Sequence, residues 1–235
     1  DIAWPHDLIP AALVYLTGPG EGETRQAWRA LFTEINRHGQ DRLLQRVWSQ
    51  PIALHQGAFE RLLTRCTALS PDTRRAMRRQ ARQIVRADGR LSLTELWRCL
   101  LLDHMLDLHH ESVLREVNHL TLAQCAQAID TVGLALAAQL LRQRQDGSPA
   151  EWCKVVRTTL GIDAPAREPG TLTSAGIRAA GLRLMRLGAM LRPQLMKAWC
   201  ALALDSGADV PQEALDALRC LCLLIDTPIS PVLAA

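Results

Sequence analysis

Apolar residues recur at three- and four-residue intervals along almost the whole chain, which is the spacing of one face of an α-helix. The clearest example is a helix predicted from Ser92 to about His109. It places Leu93, Leu96, Trp97, Leu100, Leu101, Met105 and Leu108 on a single stripe. Upstream, Ser70 followed by Pro71 opens a helix running to Asp88, with Met77, Ala81, Ile84 and Val85 as its core face. Earlier helices are predicted over His6 to Leu16, after a cap at Thr24 (carrying Trp28, Leu31, Phe32 and Ile35), and from Pro51 (presenting Leu54, Phe59, Leu62 and Leu63). Further on, Thr121 and Gln124 form a capping box ahead of a long apolar helix ending near Arg144.

Between the two clearest helices lies Gln83 to Trp97, a stop, a turn and a start. Gly89 tolerates the left-handed backbone that closes a helix, directly after Asp88. Ser92 caps the next helix, and Glu95 reaches back to the Ser92 amide. The same grammar returns at Gly147, Ser148, Pro149 and Glu151, and again at Gly207, Pro211 and Glu213, where capping alone accounts for the likeness. The reading is all-α, an irregular bundle of about ten helices. Residues 1–161 form the bundle, Ile162–Thr173 with its two Pro and a Gly is the linker, and 174–235 supply C-terminal helices packing on the bundle.

Composition supports helix over sheet, since Leu, Ala and Arg dominate and β-branched residues are sparse. Seven Cys form no CxxC pair and read as reduced, buried thiols. No stretch approaches the roughly 20 apolar residues of a membrane-spanning helix. The chain begins at Asp1 and its first Met is Met77, so it is expected to be a piece of a longer protein.

Charge changes the picture more. Residues 61–90 hold nine Arg against Asp72 and Asp88, a local net +7 in a chain of net +3. Arg74, Arg78, Arg82 and Arg86 recur every fourth residue, with Arg75 and Arg79 beside them. Six like charges in thirteen residues repel unless an anionic partner or solvent screens them. Anionic lipid or an acidic protein surface suits such a ridge, whereas no nucleic-acid-reading motif accompanies it.

Two further groups are candidate ligand sets. Asp88 and Glu95 could offer carboxylates to calcium or another divalent cation, although two side chains fall well short of six to eight oxygens. Asp103, Asp107, His110 and Glu111, with His104 adjacent, follow one another at helical spacing, but no HExxH occurs. No phosphate loop, GxSxG elbow or cysteine–histidine arrangement is present, so the chain reads as non-catalytic.

The segment ARQIVRADGRLSLTELWRCLL (81–101) resembles the acidic-glycine corner of tellurite-resistance-B-like (TerB-like) helical domains. With it, IPAALVYLTGPGE (9–21) and PQEALDALRCLCLLIDTPISPVL (211–233) resemble the C-terminal region of bacterial HtpX-like membrane zinc metallopeptidases. The closing Leu218, Arg219, Asp226, Pro228 and Pro231 pattern is the more distinctive end. The resemblance implies a cytoplasmic accessory domain on the inner membrane. Its partners would be the protease domain of the same parent chain and a protein substrate or regulator. Zinc would belong to the parent alone, because the catalytic HExxH has no counterpart here. It also implies that Asp88 and Glu95 match a corner thought to bind metal. A free-standing, cation-binding stress-response scaffold is the alternative, and an enzyme using the 103–111 cluster is a further one.

Overall fold

The computed structural model describes residues 5–17, 22–33, 35, 37–107, 119–141, 148–163, 172–204 and 210–233. Among them the architecture is all-α, with eleven α-helices, three short 3-10 turns and no strand. The chain forms two compact units, residues 1–109 and 110–235. The 162–173 stretch lies within the second unit, where helices from both sides of it pack together; residues 164–171 fall outside the described residues.

The first unit contains α1 (Pro5–Leu13), α2 (Glu23–Leu31), α3 (Arg37–Trp48), α4 (His55–Cys66), α5 (Pro71–Val85) and α6 (Leu93–Met105). Its centre is a 3-10 turn, Val14–Leu16, whose three side chains are all buried and which touches α1, α2, α3, α5 and α6. Tightening the last turn of α1 into 3-10 geometry shortens the spacing between side chains and lets this segment thread the core. Trp28, fully buried, donates its indole N–H to the Pro10 carbonyl at 3.0 Å. Pro10 cannot support an ordinary helical bond pattern around itself, so the Trp28 bond joins α2 to α1 where the helix is weakest. Buried Arg98 of α6 donates to the Tyr15 carbonyl at 2.7 Å and to Gln56 at 3.4 Å, and Gln56 in turn donates to Glu60 at 3.0 Å.

Several start signals stand as expected. Ser70 accepts the Thr73 amide, and Ser92–Glu95 and Thr121–Gln124 are complete capping boxes. Others differ. α2 is capped by the extended backbone of Gly22, with Thr24 buried inside its first turn rather than capping it. Pro51 opens a 3-10 turn, Ile52–Leu54, before α4 begins, and this leaves Leu54 55% exposed instead of in the core. α3 did not figure in the periodicity, because only Gln40, Leu44 and Val47 of its twelve residues are buried.

The second unit contains α7 (Leu122–Leu140), α8 (Pro149–Thr159), α9 (Ser174–Leu184), α10 (Arg192–Leu204) and α11 (Gln212–Leu224). α7 is its axis, apolar on nearly every side and packed by α8, α9 and α11. Gly133 makes the close approach possible: a Cβ there would sit 3.2 Å from the Cys153 sulfur and 3.3 Å from the Trp152 ring. A corner at residues 185–192 closes the unit. Buried Arg192 donates to the carbonyls of Met185, Leu187 and Ile225 at 2.6, 2.8 and 3.0 Å. Leu120 pairs with the same corner through Leu120 N–Arg186 O (2.9 Å) and Gly188 N–Leu120 O (3.1 Å). The residues behind the distinctive C-terminal pattern have structural duties. Arg219 donates to the Leu233 carbonyl at 3.1 Å, and Asp226 takes a left-handed backbone (φ 52°) while accepting from Arg192 at 3.4 Å.

Candidate functional site: the arginine face of α5

Helix α5 is placed by its apolar stripe. Met77, Ala81, Ile84 and Val85 are buried, so the rotation of the helix is fixed and every arginine position follows from it. The every-fourth-residue series is not one solvent face. Arg74 and Arg78 lie beside the stripe and are partly buried, whereas Arg75, Arg79 and Arg86 are exposed. A drift of about 40° per four residues on a helix with 3.6 residues per turn produces this divergence.

The flanking arginines meet α6. Arg78 donates from Nε to Asp103 at 2.8 Å, and Arg82 donates from one terminal nitrogen to both Asp103 oxygens at 3.1 and 3.0 Å. Arg78 also approaches Asp107 at 3.6 Å. These partners sit 21 and 25 positions from Asp103 in sequence. The α5–α6 corner folds the two helices back on each other, so residues on either side of Gly89 come together. Asp103 and Asp107 are therefore engaged by α5, while His110 and Glu111 of the same suggested cluster lie outside the described residues. Arg75 has a local partner, Asp72, at 2.6 Å. Arg79 and Arg86 make no ion pair among the described residues.

The Asp88 corner has the expected backbone. Gly89 adopts φ 67°, and the Asp88 carboxylate accepts the Arg90 amide at 3.0 Å as an Asx turn. Glu95 accepts both the amide and the hydroxyl of Ser92, at 2.8 and 2.7 Å. Both carboxylates are thus already local acceptors that hold the turn. Among the described residues no group of three or more His, Cys, Asp or Glu side chains is placed to hold a metal ion. No helix among them is long and apolar enough to cross a membrane.

The thiols are core residues. Six of the seven cysteines are buried and Cys99 is partly so. Burial pushes Cys66 and Cys153 up to about 12 and Cys200 up to about 11, so these three are not poised as nucleophiles at neutral pH. Burial also raises the Asp130 carboxyl, against the opposing pull of Arg157, whose guanidinium lies 3.5 Å away. Comparison of the chain with protein-family models, with curated proteins and with solved structures finds no match.

Proposed function

We propose that this chain is a non-catalytic helical accessory module whose α5 face docks on an anionic surface, the cytoplasmic leaflet of a bacterial inner membrane. The observation that carries the reading is the exposed trio Arg75, Arg79 and Arg86 opposite a buried stripe, of which Arg75 has the local partner Asp72 while Arg79 and Arg86 make no ion pair among the described residues. A rigid helix holding three guanidinium groups outward presents charge without the entropic cost of ordering a loop. Each basic side chain brought to an anionic leaflet contributes about 1 kcal/mol, so the trio is worth about a hundredfold in partitioning. The resemblance of segments 9–21, 81–101 and 211–233, taken together, to the C-terminal region of HtpX-like zinc metallopeptidases is the ground for placing such a module beside a membrane-bound protease domain, where it would hold a protein substrate or regulator. A cation at Asp88 and Glu95 has less support, because local N–H and O–H groups already occupy both carboxylates.

Co-sedimentation with phosphatidylglycerol-containing and neutral vesicles tests the reading. Binding should need the anionic lipid, weaken with salt, and fall when Arg75, Arg79 and Arg86 become Ser. Arg78 and Arg82 are left intact in that variant because they tie α5 to α6. Equal binding to both vesicle types, or unchanged binding by the variant, overturns the proposal.

A further inference from the structure

The exposed arginines are not evenly spread. Arg79, Arg82 and Arg86, with Gln83 and Ala87, line an open groove of about 490 Å³ at the C-terminal half of α5. Their i, i+3, i+7 spacing confines the three side-chain origins to roughly 60° of helical arc. Arg82 is held in place from below: one terminal nitrogen bonds both oxygens of Asp103, and its other terminal nitrogen has no partner among the described residues. Arg79 and Arg86 flank it and have no carboxylate partner among the described residues. Three guanidinium groups in two turns repel one another, and among the described residues the Asp103 carboxylate alone reaches the group and is already shared with Arg78.

The chemistry that satisfies such a cradle is a compact polyanion with several acceptor oxygens. A phosphate diester, as in phosphatidylglycerol, offers one charge. A phosphate monoester carries about −1.5 to −2 at neutral pH and three acceptor oxygens, which suits several forked N–H pairs at once. We infer that the Arg79–Arg82–Arg86 groove is a headgroup site for a lipid bearing a phosphate monoester, such as phosphatidic acid. The inference rests on the bilayer-docking reading above and narrows it from anionic surface to headgroup.

The test is partitioning of the intact chain onto phosphatidic-acid and phosphatidylglycerol vesicles matched in surface charge. Wild type should prefer phosphatidic acid by about tenfold, the equivalent of one additional charge-assisted hydrogen bond. Arg79→Gln with Arg86→Gln should abolish the preference. Since both side chains are exposed, the fold should survive, and unchanged thermal unfolding of the variant verifies this. Equal binding of wild type to the two matched vesicles overturns the headgroup inference while leaving bilayer docking intact; binding to neither ends both. Displacement by inorganic phosphate at constant ionic strength, with no preference between the lipids, would assign the groove to free phosphate and overturn the lipid claim.

Discussion

The α5–α6 clamp offers the most direct check of the ion-pair geometry. Arg78 and Asp103 meet at 2.8 Å with side chains 21% and 15% exposed, between the surface and buried regimes. Fully exposed pairs couple by about 0.2–1 kcal/mol, whereas removing one partner of a buried pair costs about 3–5 kcal/mol. We therefore expect a double-mutant cycle of Arg78→Met and Asp103→Asn to give a coupling energy of about 1.5 kcal/mol. Asp103→Asn alone should cost more, about 2–3 kcal/mol, because Arg82 loses the same acceptor. The assay is urea unfolding followed by tryptophan fluorescence, since Trp28 and Trp97 are buried in this unit. High salt should reduce the coupling without abolishing it. A coupling below about 0.3 kcal/mol, the limit at which substitutions count as independent, would refute the clamp. Asp103→Asn also removes the carboxylate that Arg78 and Arg82 share, leaving Arg78 with Asp107 alone, so the same protein should bind anionic vesicles more tightly than wild type.

Other outcomes follow from the second unit and from the thiols. Arg192→Met strips hydrogen bonds from three carbonyls at the 185–192 corner and should destabilise that unit by at least about 3 kcal/mol, read as an early unfolding transition in urea. Asp130 has a folded pKa raised above the ordinary value of 3.8, so the folded state keeps its proton to higher pH than the unfolded state. Its contribution is fully present below that ordinary value and is lost as pH rises through the folded pKa. Asp130→Asn should flatten this decline in a thermal-unfolding series from acid to neutral pH. Native protein should react with a thiol reagent at mildly alkaline pH mainly at Cys99, with the remaining thiols appearing only in denaturant.

Local signals in this sequence are more legible than registers. Ser70, Ser92 and Thr121 could be identified as caps because capping depends on residues within three positions of each other. α3 escaped because its buried face rests on Gln40 as well as Leu44 and Val47, and Gln40 is buried through bonds from its amide to the Arg29 and Phe32 carbonyls, not through apolar character. Leu54 was expected in the core because a single helix from Pro51 would have turned it inward; the 3-10 turn shifts the phase. The arginine series shows the same limitation. Spacing grouped Arg74, Arg78, Arg82 and Arg86, but the core residues of α5 and the acidic residues of α6 determine which of them face water. That assignment needs Asp103, which only the folded corner brings near.

The corner at residues 185–192 also bears on the order of folding. It joins the start of α7, the end of α9 and the end of α11, through Leu120 and the grip of Arg192 on Ile225. Partners this distant in sequence meet only after long loops have closed, which is a slow step compared with forming a helix. The backbone pair between Leu120 and residues 186–188 should therefore be among the last elements of the unit to lock. In pulsed hydrogen exchange, the Leu120 and Gly188 amides should gain protection together, after the interior of α7, and an earlier signal from them would point to a nucleus at the corner instead.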